Sequence, residues 1–132
     1  MLRRLGMILL GCCLMAMTVA QSLQQTLTGI EQSISRADAQ ALSKYFNEYV
    51  EVTINEKEET YPKAQAIFIL KEFFSSNKIQ SFHILHQGSS NQNFYAIGEY
   101  KTSQGKYDAN IFIKKIGNSF LVEQIRFEKE KK

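Results

Sequence analysis

Sulfur is confined to the first 20 residues of this 132-residue chain: both cysteines (Cys12, Cys13) and all four methionines (Met1, Met7, Met15, Met17) fall there, and tryptophan is absent throughout. Beyond residue 20, therefore, no disulfide can staple the fold and no thiol can act as nucleophile or metal ligand. Proline occurs once and glycine seven times, which excludes collagen-like and proline-rich polymers. Charge of one sign is also scarce. Without Arg3 and Arg4 the basic residues fall from 16 to 14 against 13 acidic ones, and the net charge drops from +3 to +1. A nearly neutral domain lacks the basic field that nucleic acids or anionic membranes require, so neither is expected as a partner.

The same 20 residues read as an export leader. Met1 to Arg4 carry two positive charges, Leu5 to Ala16 are almost wholly apolar, and Thr18-Val19-Ala20 supplies small side chains for cleavage. The apolar run falls short of the roughly 20 residues a membrane span needs, so no stable span is expected after processing. The organisation read here is a signal peptide over 1–20 and one α+β domain over 21–132, periplasmic or secreted. Leu9-Leu10-Gly11-Cys12 also has the form of a lipobox, the alternative being a lipoprotein anchored through Cys12.

Leu23, Leu27, Ile30 and Ile34 form one apolar stripe and predict a helix over Leu23–Arg36. Asp38 suits the N-cap of a short second helix in which Leu42, Tyr45 and Phe46 share a face. The period then becomes two: Val50, Val52 and Ile54 alternate with Glu51, Thr53 and Asn55, as in a half-buried strand. Glu56 to Glu59 read as a solvated turn leading to a short partner at Thr60-Tyr61. Pro62 can open a third helix reaching about Phe74, with Ala66, Ile67, Ile69, Leu70, Phe73 and Phe74 in one arc and Phe68 projecting among the polar residues. Four strand-like segments follow, Ile79–Gln87, Phe94–Lys101, Tyr107–Ile116 and Phe120–Glu128, with short links that favour hairpins. The expected architecture is α+β, three helices packed on the concave face of a curved antiparallel sheet.

This element order resembles the nuclear transport factor 2-like cone, also called cystatin-like. The segments Leu42-Ser43-Lys44-Tyr45-Phe46, Tyr61-Pro62-Lys63-Ala64-Gln65-Ala66, Phe73-Phe74 and Phe82-His83-Ile84-Leu85-His86-Gln87-Gly88-Ser89-Ser90 are similar to the bacterial family called domain of unknown function 4783. Pro62 departs from the serine-like cap that the resemblance implies. The resemblance implies a small exported protein with a pocket between helices and sheet, and supplies no activity.

The chemistry-bearing residues are few. His83 and His86 form an H-x-x-H spacing, but three residues apart on a regular strand they point to opposite faces, so no metal site is expected. No nucleophile elbow is present, and the glycines at 88, 98, 105 and 117 punctuate hairpins instead of opening a phosphate-binding helix. No cofactor is expected. In cones of this kind an interior histidine can act as general base, and His86, on a regular strand, shares a face with Phe82 and Ile84, an apolar setting that favours neutral imidazole. Tyr95, Tyr100, Tyr107 and Phe112 could furnish a contact surface, because aromatic side chains combine area with, in tyrosine, a polar tip.

Three readings follow. The first is a non-catalytic exported module that binds a small apolar ligand or an envelope protein, with His86, Tyr100 and Phe112 as candidate contacts. The second is a small isomerase- or dehydratase-like enzyme with His86 as its base. The third is a structural homodimer of the cell envelope, paired through its sheet faces.

Overall fold

The computed structural model describes residues 22–131; the leader-like segment, Ala20 and Cys12 lie outside them. The chain is helical over residues 22–35 (α1), then Ala39–Leu42 (α2), a 3₁₀ turn Ser43–Tyr45, strands β1 (Phe46–Ile54) and β2 (Lys57–Pro62), helix α3 (Lys63–Ser76), and strands β3 (Ile79–Ser90), β4 (Asn93–Thr102), β5 (Gly105–Ile116) and β6 (Ser119–Lys129). Three helices cover one face of a six-stranded sheet ordered β2-β1-β6-β5-β4-β3. No described helix is long and apolar enough to cross a membrane.

The apolar stripes place the helices. Leu27, Ile30 and Ile34 of α1 and Ala66, Leu70, Phe73 and Phe74 of α3 are buried, while Phe68 is 59% exposed. Asp38 caps α2, its Oδ1 accepting from the Ala41 amide at 2.9 Å. Tyr45 leaves the helical run for the 3₁₀ turn and Phe46 opens β1, so the expected shared helical face of Leu42, Tyr45 and Phe46 does not form. Pro62 serves as the residue flanking α3, extended at ψ 150, rather than its first helical residue.

The sheet is antiparallel at every ladder except β1 with β6, which is parallel. Between those two strands lie β2, α3 and β3 to β5, a connection long enough for parallel pairing. Two expected loops shrink. Lys57, Glu58 and Glu59 belong to β2 instead of a turn, and the turn is only Asn55-Glu56, both at positive φ (48° and 73°), as a tight two-residue hairpin demands. The expected Gly88–Asn93 link likewise reduces to Asn91-Gln92, with Asn91 at φ 58°, because Gly88, Ser89 and Ser90 pair with Tyr95, Phe94 and Asn93. The charged residues and Pro62 of β2 suit a sheet edge.

Ladder irregularities at Gln80, Leu85 and Glu123 interrupt the pairing, and such bulges bend a sheet around its cover. At the β3 edge, α1 supplies the missing partners: Glu31 Oε2 accepts from the Ile84 amide at 2.7 Å, and Ser35 donates to the Phe82 carbonyl at 3.3 Å.

Candidate functional site

The interior of the cone is filled. Phe73 of α3 stacks on Phe127 of β6 at 4.5 Å between ring centroids and meets Tyr107 edge-on at 5.2 Å; Phe74 stacks with Tyr100 at 6.1 Å. Tyr100, Phe127, Ile111 and Val122 are fully buried. Two hydroxyls enter this apolar mass, and both end on Asn77: Tyr100 donates to its backbone carbonyl at 2.5 Å and Tyr107 to its side-chain Oδ1 at 2.8 Å. Burial, reinforced by the neighbouring Tyr107, pushes the Tyr100 pKa up to about 12.

A cleft of about 290 Å³ opens beside this plug, between α3 and the β1–β2 hairpin. Its walls follow from two periodicities. In β2 the residues paired with Ile54, Val52 and Val50 are Lys57, Glu59 and Tyr61, so those three share the inner face. In α3, Ile69, Glu72, Phe73 and Ser76 recur at helical spacing and face them. The floor is apolar (Val52, Ile54, Ile69, Phe73), and Lys57, Glu72, Ser76 and Asn77 carry polar groups into the lining. Tyr61 donates its hydroxyl to Glu59 Oε2 at 2.8 Å, and that bond, with burial and the carboxylate's charge, holds the phenol above its ordinary pKa. A second cleft, about 150 Å³, lies between α1 and the β3–β4 hairpin, lined by Leu23, Leu27, Gly88, Phe94 and Tyr95 among others. Two wider depressions, about 410 and 520 Å³, run along α1 and are lined largely by polar residues.

Of the residues nominated from sequence, Tyr95 lines the smaller cleft beside α1, and His86, Tyr100 and Phe112 line none of these. His86 does not share the face of Phe82 and Ile84: the bulge at Leu85 shifts the register so that Ile84 pairs with Gly98 but His86 with Ile97, which turns the imidazole to the exposed outer face. The same bulge puts His83, paired with Glu99, and His86 on one face, where a regular strand would have separated them. Among the described residues no three histidine, cysteine, aspartate or glutamate side chains gather into a metal-binding group. Tyr100, expected as a contact, is fully buried, as is nearly all of Tyr107, because both face the helices. Phe112 pairs with Tyr95 on the outer face, each 40% exposed. Lys57, Tyr61, Glu72 and Asn77, which line the α3–hairpin cleft, were not nominated as site residues; the inner-face alternation of β2, hidden in a charged run, could have pointed to Lys57 and Tyr61, and no signal pointed to Glu72 or Asn77.

The model of the family described as domain of unknown function (DUF4783) matches residues 27–128. The chain belongs to the DUF4783 family. No functionally curated protein matches the sequence. Among solved structures, a DUF4783 family protein from Bacteroides ovatus is 32% identical with a TM-score of 0.75, covering 79% of this chain and 94% of its own. A family member from Bacteroides uniformis is 30% identical with the same TM-score, covering 80% and 97%. An NTF2-like protein of unknown function from Shewanella baltica, 10% identical with a TM-score of 0.64 over 86% of this chain and 94% of its own, shares the fold. This DUF4783 protein is therefore an NTF2-like α+β chain whose cone is plugged by its own aromatic core.

Proposed function

We propose that this DUF4783 protein is an exported, non-catalytic binding module that holds a small, largely apolar ligand in the cleft between α3 and the β1–β2 hairpin. The single observation that carries the reading is the pairing of a closed cone with an open apolar-floored cleft at its rim, lined by Val52, Ile54, Ile69 and Phe73. A concave site with an apolar floor and a few polar groups is the usual form of a small-molecule pocket. The leader pattern of residues 1–20 supports export, and the exposed position of His86, on the strand at the far sheet edge from the cleft, supports binding over acid–base chemistry there.

The test uses an apolar naphthalene sulfonate dye whose emission rises on burial. Wild-type protein should enhance it saturably, and Ser76→Trp, which puts an indole into the cleft, should abolish the enhancement while leaving circular dichroism unchanged. Equal enhancement by both proteins would place the dye elsewhere and reject the cleft.

A second reading is favoured by the outer face, where Tyr95 and Phe112 are cross-strand neighbours exposed to the same degree. Such a pair suits a sheet-to-sheet homodimer. Sedimentation velocity at micromolar concentration should then show a dimer that Phe112→Asn dissociates; a monomer at all concentrations rejects it.

A further inference from the structure

The charges on the cleft walls narrow the ligand class. Lys57 stands on the hairpin wall and Glu72 on the helix wall, both exposed and both lining the same cavity. Neither is in an ion pair among the described residues, so neither charge is already taken up by a direct partner. Between them lies the apolar floor of Val52, Ile54, Ile69 and Phe73. A cation and an anion on facing walls above an apolar floor complement a ligand with the opposite order, a carboxylate and an ammonium flanking one apolar group. The volume, about 290 Å³, lies at the small end of ligand sites, room for a molecule of amino-acid size.

We propose that the α3–hairpin cleft binds a zwitterionic α-amino acid with an apolar side chain, its carboxylate on Lys57 Nζ, its ammonium on the Glu72 carboxylate, and its side chain on the Val52–Ile54–Ile69–Phe73 floor. The proposal rests on the cleft being a binding site. Charge-assisted contacts at both ends fix the orientation, and the floor rejects polar side chains. Ser76, one helical turn on from Glu72, offers a further hydroxyl to the same wall.

Isothermal titration of the full chain with three probes sharing one benzyl group decides the matter: L-phenylalanine, 3-phenylpropanoate, which lacks the ammonium, and 2-phenylethylamine, which lacks the carboxylate. L-phenylalanine should bind at least about tenfold tighter than either analogue, the loss expected for one charge-assisted contact. Lys57→Gln should weaken L-phenylalanine and 3-phenylpropanoate by a similar factor and leave 2-phenylethylamine unchanged. Glu72→Gln should do the converse. Both side chains are exposed, so both variants should fold, which circular dichroism checks. If all three probes bind equally, or none binds while the naphthalene dye still occupies the cleft, the amino-acid assignment is overturned and the apolar site stands. If neither probes nor dye bind, the cleft reading itself is overturned, and the assignment with it.

Discussion

Tyr107 donates its hydroxyl to the Asn77 side-chain oxygen at 2.8 Å, fastening the middle of the sheet to the residue that ends α3. Asn77 also returns its Nδ2 and its backbone amide to the Phe73 carbonyl, at 3.0 and 2.9 Å, so one side chain closes the helix and receives a core tyrosine. Removing the acceptor leaves a buried hydroxyl unpaired, which costs more than removing both partners. Asn77→Ala should therefore lower unfolding stability by ~1–3 kcal/mol. Tyr107→Phe should cost about 1 kcal/mol, and the double variant should be little worse than Asn77→Ala alone. Urea unfolding of the three variants checks this; fully additive losses would mean that the bridge contributes nothing.

Alkaline pH should act through the neighbouring phenol. The pKa of Tyr100 is raised from 10.0 to about 12 by burial and by Tyr107. A group whose folded pKa is raised contributes stability that is complete below its unfolded value and is lost as pH climbs through the folded one. The window is therefore pH 10 to 12, and the contribution is on the order of 2–3 kcal/mol. Tyr100→Phe lacks the ionising hydroxyl, so its urea midpoint should start lower at neutral pH and fall less steeply across that window. Parallel slopes in wild type and variant would contradict the assignment.

On the outer face, two carboxyl groups interact. Glu51 has its pKa lowered, chiefly by a hydrogen bond with the Glu58 carboxyl and then by one from Gln124, whose Nε2 donates to Oε2 at 2.6 Å; the Glu58 pKa is raised by the same contact and by the Glu51 charge. The raised Glu58 favours the folded state while protonated and loses that contribution as pH rises through its folded pKa. Glu58→Gln should thus raise the melting temperature at pH 7, where two anions otherwise face each other, and give no gain in acid, where the proton bridges them. An equal gain at both pH values would show that the pair does not interact.

Local signals in the sequence were strong where one element carries the whole pattern. Leu27, Ile30 and Ile34 mark the buried stripe of α1, Asp38 marks the N-cap of α2, and the strand-rich second half marks the hairpins. What stayed hidden depends on contacts between distant elements. The run Phe82-His83-Ile84-Leu85-His86 alternates equally well with or without a bulge, and only the ladder to Gly98 and Ile97 decides which face His86 takes. The parallel partnership of β1 with β6 joins segments more than 70 residues apart, Thr53 with Arg126 for example. The cleft draws Lys57 and Tyr61 from one element and Glu72 and Asn77 from another, and no spacing in the chain connects them.

Gly98 shows how one missing side chain sets the core beside that bulge. It pairs with Ile84, and a Cβ at this position would lie 2.5 and 2.6 Å from two ring carbons of Phe82 and 2.9 Å from the His83 carbonyl oxygen. The ring of Phe82, 2% exposed, rests on bare backbone. In an open strand, replacing glycine by alanine gains roughly 0.5–1 kcal/mol of backbone entropy; here overpacking should reverse the sign and cost ~1–3 kcal/mol. Phe82→Leu should relieve part of the clash by withdrawing the ring, so the double variant should be less destabilised than the sum of the single changes. The carbonyl contact would persist, which keeps the double variant below wild type. A Gly98→Ala protein as stable as wild type in urea would mean that Phe82 does not pack on this strand.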